Sequence, residues 1–211
     1  MSLIDSWCIK SNVDCLYYLK DYALNNDFEK KNGFVDMATR IELKKSLIDH
    51  KTNNLGESKD VKLEILEPKS LKSINPETLM RFNQTRFNRD NNFKKELVLE
   101  MYLIWVKNHI KAKNAEVIGA IYKNQIIGLI TYEFLKNSIP KIGLFSVQKN
   151  IQNLGIGSQL LNKCIKSLIN KKKKRLSVVT QKSNSKALKF YLKNGFEIET
   201  KYKWFHKWYK H

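Results

Sequence analysis

The chain has 211 residues, 42% of them hydrophobic and 11% aromatic, and its 39 Lys and Arg outnumber 20 Asp and Glu to give a formal charge of +19. That composition can bury a core and excludes disorder throughout. The longest apolar runs, Val117–Tyr122 and Gln125–Tyr132, fall far short of the ~20 residues that a bilayer-spanning helix needs, so no membrane partner is expected.

Asp5 lies near the start, with no long apolar stretch around it, which argues against a signal peptide. Cys8, Cys15 and Cys164 form no Cys-x-x-Cys pair. This fits reduced thiols in a cytoplasm better than a disulfide framework or zinc site, and no metal is expected. So strong a positive field should draw in phosphate-bearing ligands, either nucleic acid or a polyphosphate metabolite. The densest run, Lys171–Arg175, reads as a solvated helix end whose cations complement the dipole.

Along the chain, residues 6–43 read as a strand–helix–strand unit. Asp14 caps a helix carrying Leu16, Leu19, Tyr22 and Ala23; Gly33 follows, and 34–43 alternate as a strand. Residues 46–60, polar with Asn53, Asn54 and Gly56, read as a linker between a lobe at 1–45 and a domain at 61–211. That domain opens with a strand at 61–66 and helices at 76–82 and 96–110. The second places Leu97, Met101, Ile104 and Trp105 on one face. Strands 116–122 and 125–134 form a hairpin across Lys123-Asn124, since Asn tolerates positive φ. Pro140 precedes a strand at 141–147, a helix spans 157–170, and a strand covers 176–180. A short helix at 184–194 ends at Gly195, and 196–208 alternate as a last strand. The string Asn-Gly-Phe occurs at 32–34 and again at 194–196, each between helix and strand.

The chemistry concentrates after the strand at 141–147. Gln152, Asn153, Leu154, Gly155, Ile156, Gly157 and Ser158 lead straight into an amphipathic helix, an arrangement suited to cradling phosphate. Glycines let backbone N–H groups approach an anion, and the helix N-terminus aims unpaired donors at it. A plain tight turn is the alternative. No Gly-Lys-Ser/Thr string follows a first glycine at Walker spacing, and Leu160 stands where a dinucleotide fingerprint needs its third glycine.

Gln-x-x-Gly-x-Gly at 152–157 and Asn-x-x-Ala-x-x-Phe-Tyr-x-x-Asn-Gly-Phe at 184–196 together resemble the GCN5-related N-acetyltransferase (GNAT) superfamily. Thr85-Arg86-Phe87 with Asp90 and Phe93, Tyr102-x-x-Trp105-x-x-Asn108, Val179-Thr180-Gln181 and the tail Trp204–Trp208 resemble its nucleotide-sugar branch, typified by dTDP-fucosamine acetyltransferase. The resemblance implies a mixed α/β GNAT fold: a central splayed mixed sheet flanked by helices, preceded by a small partial GNAT-like N-terminal lobe.

It also implies acetyl-CoA as acetyl donor. Backbone groups of Phe145, Ser146 and Val147 would pair with the pantetheine arm, and an N–H there would stabilise the oxyanion of acyl transfer. Residues 152–158 would hold the pyrophosphate, although Gln152 stands where many members have Arg. Asn184, beside Ala187, would bind pantetheine or serve only as an N-cap. Tyr191 would protonate the departing thiolate, or be a packed aromatic. Glu133 and His206 are candidates for the base, each with a structural alternative. Arg86 could grip a substrate diphosphate or form a surface ion pair. The expected activity is acetyl transfer to the amino group of a dTDP-4-amino-4,6-dideoxyhexose type of nucleotide sugar, in the cytoplasm, with a homodimer left open. Acetylation of a protein N-terminus or small amine is the alternative. A nucleic-acid-binding module is the remote one, and no specific nucleic-acid partner is expected.

Overall fold

A computed structural model of the chain describes residues 3–24, 27–48, 60–74, 76–80, 85–152 and 154–209. Its elements are α1 (Leu3–Lys10), β1 (Cys15–Asp21), α2 (Phe28–Lys31), β2 (Val35–Ser46), β3 (Lys62–Ile65), α3 (Pro76–Met80), α4 (Arg86–Arg89) and α5 (Lys95–Lys111). There follow β4 (Ala115–Tyr122), β5 (Gln125–Glu133), β6 (Lys141–Val147), α6 (Ile156–Asn170), β7 (Arg175–Gln181), α7 (Ser185–Lys193) and β8 (Glu197–Trp208). Most of the expected linker, residues 49–59, lies outside the described residues. Among those described, no helix is long and apolar enough to cross a membrane.

All eight strands form one mixed sheet in the order β1-β8-β2-β7-β6-β5-β4-β3. Adjacent strand residues point to opposite faces, so the sheet separates two cores. Ile118, Ile130 and Ile142 pack with Leu160, Leu161, Cys164 and Leu168 of α6. Val117, Leu129 and Leu144 pack with Val98, Tyr102 and Val106 of α5 on the other side. The hairpin turn is as expected, with Lys123 and Asn124 at φ 46° and 62°, the signature of a type I′ turn.

Two expectations fail. Residues 15–21, taken as helical, are strand β1, paired along its length with β8 from Cys15↔Trp208 to Asp21↔Tyr202. The Leu16/Leu19 spacing fits a helix locally, but a full ladder on a long neighbouring strand, with Tyr17 and Tyr18 suited to a sheet, overrides it. The helix of this segment lies earlier, as α1. In α5 the buried stripe is Val98, Tyr102 and Val106, whereas Leu97, Ile104 and Trp105 are exposed. An apolar helix offers more than one plausible stripe, and the sheet selects one.

The repeated Asn-Gly-Phe string marks a repeated structure. Gly33 and Gly195 have φ of 74° and 75°. The Phe34 and Phe196 N–H groups reach back to the Glu29 and Tyr191 carbonyls at 2.9 and 3.1 Å, closing the same helix C-cap twice. The strands obey one pseudo-twofold relation. Between β2 and β8, Val35↔His206 at one end is mirrored by Lys44↔Glu197 at the other, with Arg40↔Tyr202 at the centre. Outside them, Cys15↔Trp208 is matched by Ser46↔Arg175. Thus β1-α2-β2 and β7-α7-β8 are equivalent units that exchange their long strands, placing β2 between β7 and β8.

Candidate active site

β6 and β7 form the sheet's parallel pair, and they pair only at Lys141↔Ser177 and Ile142↔Val178. Beyond those pairs their C-terminal halves separate. Phe145–Val147 therefore pairs with β5 on one side and opens toward a gap on the other. Between the pairs Ile130↔Phe145 and Tyr132↔Ile142, Gly143 and Leu144 stand opposite the single Thr131, a bulge in β6, and Thr131 Oγ1 accepts from the Leu144 N–H at 2.9 Å. The Phe145 and Val147 side chains are half-buried, whereas Ser146 is buried and its hydroxyl donates to the Thr78 carbonyl at 2.7 Å.

From β6 a short 3-10 turn at Lys149–Ile151 leads to Gly155, with φ 79°, and then α6. That left-handed conformation is where glycine is favoured, and a Cβ built at Gly155 would meet nothing within 4 Å. The first intrahelical bond from this turn runs from the Gln159 N–H to the Gly155 carbonyl at 3.0 Å. The N–H groups of Ile156, Gly157 and Ser158 are thus first-turn donors, in a turn that lies beside the Phe145 and Phe190 rings. Leu154 is exposed, and Asn153 lies outside the described residues. Gln152 folds back, its amide donating to the Val147 carbonyl at 3.0 Å. It braces the loop against the end of β6.

α7 closes the other side of the gap. Asn184 caps it, its Oδ1 accepting from the Ala187 N–H at 3.2 Å. Tyr191 is 5% exposed, with its ring 5.3–6.3 Å from those of Phe145, Phe190 and Phe196. Burial, and after it the nearby Cys164, push its phenol well above the ordinary range. The Cys164 thiol is itself fully buried and raised for the same first reason, which leaves it protonated.

The three residues expected on the substrate side lie on the α4/α5 face. His206 is fully buried: its Nδ1 lies 2.6 Å from Asp90 Oδ2, and its Nε2 lies 2.9 Å from Arg86 Nη1. Arginine can only donate, so Nε2 accepts and Nδ1–H donates to Asp90, which makes the imidazole neutral. Burial pushes the His206 pKa down, against the raising effect of Asp90. Burial would raise Asp90, but hydrogen bonds from His206, Trp208 and Asn92 hold it below the ordinary value. With both nitrogens engaged, His206 positions Arg86. The Arg86 guanidinium carbon sits 4.4, 4.1 and 4.3 Å from the ring centres of Tyr17, Phe87 and Trp204.

Glu133 ends β5, half-buried and opposite Lys141. Its charge reaches His109, whose pKa is lowered first by burial and raised in part by Glu133. His109 Nε2 accepts from the Trp105 indole at 3.0 Å, and its buried Nδ1 has no hydrogen-bond partner among the described residues. His109 escapes a sequence reading because nothing in α5 marks one polar residue among many. Asp90 was visible only as a letter in the branch motif.

Residues 84–206 match the family model described as an acetyltransferase (GNAT) domain. The chain belongs to the GNAT family. It is 40% identical to the uncharacterized protein YxbD of Bacillus subtilis over 76 residues, 36% of this chain and 46% of that protein. It is 23% identical to the spore coat polysaccharide biosynthesis protein SpsD of Bacillus subtilis over 127 residues, 60% of this chain and 44% of that protein. The chain thus spans about half the length of the curated relatives it matches. A functionally unknown conserved protein of Staphylococcus epidermidis shares the fold at a TM-score of 0.72 and 13% identity, covering 98% of this chain and 77% of that one.

GNAT enzymes use acetyl-CoA, and the residues of this GNAT domain fit it. The splay leaves strand edge on β6 for an extended amide-bearing arm, and the space over Gly155 beside the first-turn donors of α6 suits a pyrophosphate.

Proposed function

We propose that this GNAT enzyme acetylates the amino group of a nucleotide-activated amino sugar, of the dTDP-4-amino-4,6-dideoxyhexose type, in cell-surface glycan synthesis. The observation that carries the substrate side is Arg86: a guanidinium held among three aromatic rings and fixed by the Asp90–His206 pair. Such a fork suits bidentate binding of phosphate oxygens. The polysaccharide role in the printed name of SpsD is consistent with this reading.

Acetyl-CoA supplies an acyl group activated as a thioester. The chain's own contribution starts with position, since the backbone of Phe145–Val147 and the α6 N-terminus hold the donor in the splay. Tyr191 keeps its proton at Oη across neutral pH, because burial disfavours the phenolate. It can therefore serve as the proton donor to the departing thiolate and not as the base. Deprotonation of the incoming amine falls to Glu133, directly or through water, because His206 has no free nitrogen and the accepting nitrogen of His109 is taken by the Trp105 indole.

Acetyl-CoA consumption measured over dTDP- and UDP-linked amino sugars, polyamines and peptide N-termini tests the reading. Turnover is expected on a nucleotide amino sugar. Turnover confined to polyamines or peptides would overturn the substrate assignment while keeping the chemistry.

A further inference from the structure

We propose that Arg40, on β2 of the N-terminal unit, is the second arginine of a diphosphate-binding site whose first is Arg86. This rests on the nucleotide-sugar reading above and assigns to it a residue outside the matched family segment, which begins at residue 84.

The sheet register places Arg40. It stands opposite Gln181, the last residue of β7, at the end where β6 and β7 have parted. On its other side it stands opposite Tyr202 of β8. Directly opposed residues share a face, as do alternate residues of one strand. Arg40, Tyr202 and Trp204 therefore share a face, and it is the face on which Arg86 packs, since the Arg86 guanidinium lies over Trp204. The Arg40 guanidinium carbon lies 5.9 Å from the Tyr202 ring centre. Two guanidinium groups, each against an aromatic ring of β8, thus line one surface beside the opening of the splay.

The surface has more positive charge than its acids neutralise. Asp90 accepts from His206, Trp208 and Asn92. Glu42 meets Arg40 through a single contact at 3.3 Å between its Oε2 and Nη2. Arg40 Nε is buried with no hydrogen-bond partner among the described residues, so one donor of its fork meets no acceptor there. Burial is the main cause that lowers the Arg86 pKa, and the charge of Arg40, the smallest of the causes, acts in the same direction. A diphosphate offers acceptors and compensating charge to both, and Tyr202, Trp204 and the exposed Tyr17 offer rings for a base or sugar.

The test uses the full chain saturated with CoA, so that the loop before α6 is filled, and measures binding of dTDP, UDP and thymidine by calorimetry. Wild type is expected to bind a nucleoside diphosphate and to ignore thymidine. Arg40→Gln should weaken diphosphate binding tenfold or more, about 1.4 kcal/mol, with CoA affinity unchanged. Arg40→Lys should restore only part of it, because an ammonium lacks the planar fork. Glu42→Gln, which removes the competing carboxylate, should tighten it and provides a second variant should Arg40→Gln not fold. Equal diphosphate affinity in wild type and Arg40→Gln, or no gain in Glu42→Gln, overturns the role of Arg40 and leaves the nucleotide-sugar reading intact. Thymidine binding as tightly as dTDP overturns the phosphate assignment, and failure of wild type to bind either diphosphate overturns both.

Discussion

The phenol of Tyr191 sits among Phe145, Phe190 and Phe196 at the inner end of the splay, and packing and proton donation place different demands on it. Packing needs only the ring; proton donation needs the hydroxyl. The equivalent position of the N-terminal unit holds Glu29, buried and paired with Lys20 at 2.9 Å, so only one of the two related units carries a phenol there. Tyr191→Phe should keep the thermal midpoint and the affinity for acetyl-CoA while kcat falls ~10²–10⁴-fold, the usual scale of general acid catalysis. Steady-state kinetics beside a thermal melt checks this, and a kcat within threefold of wild type would leave Tyr191 as packing alone. Tyr191→Ala should instead lose stability, by ~3–5 kcal/mol for an emptied aromatic site.

At the scale of elements, the turn into α6 joins backbone conformation to ligand chemistry. Gly155 supplies the left-handed residue and the open space, and α6 supplies first-turn donors. Gly157 lies in that first turn, where an added Cβ would touch the Phe190 and Phe145 rings at 3.6 and 3.8 Å, ordinary contact distances. A single methyl is therefore tolerable, but the branches of valine must extend toward those rings or into the donor-lined mouth. Gly157→Val should weaken CoA binding tenfold or more by calorimetry, ~1.4 kcal/mol or above, in a variant that still melts cooperatively. Unchanged affinity would mean that the loop only turns the chain.

For the molecule as a whole, the position of β2 decides what can fold alone. Its Ala38, Ile41 and Leu43 are buried, and it supplies the ladder partners of both β7 and β8. A chain starting at residue 61 would leave β7 with an open edge and remove both neighbours of β8, β1 and β2, along with that part of the core. Such a fragment should show no cooperative melt, and co-expression with residues 1–60 should restore it, because the missing strands pair through backbone bonds and apolar contacts without needing covalent continuity. A fragment that melts like the full chain would show the N-terminal unit to be an independent addition.

From β3 to β8 the strands and the helices other than α4 were legible because their signals are local: alternation, a type I′ turn at Lys123-Asn124, glycine after α7, and a glycine loop before an amphipathic helix. The glycine turn into α6 and the Asn184 cap of α7 were legible for the same reason, since each is built within a few consecutive residues. Strand β1 was not legible, because its conformation is dictated by β8, nearly two hundred residues away in sequence. The buried stripe of α5 was set by the sheet beneath it. His206 was a candidate base with a place in the last strand as the alternative, and only the structure set Arg86 and Asp90 on its two nitrogens. The repeated Asn-Gly-Phe string hinted at two related units, but only strand pairing could show that they exchange β2 and β8 and thereby bring Arg40 to the site. Sequence encodes conformations that neighbours along the chain enforce; pairings, faces and partners between distant segments exist only once the sheet has closed.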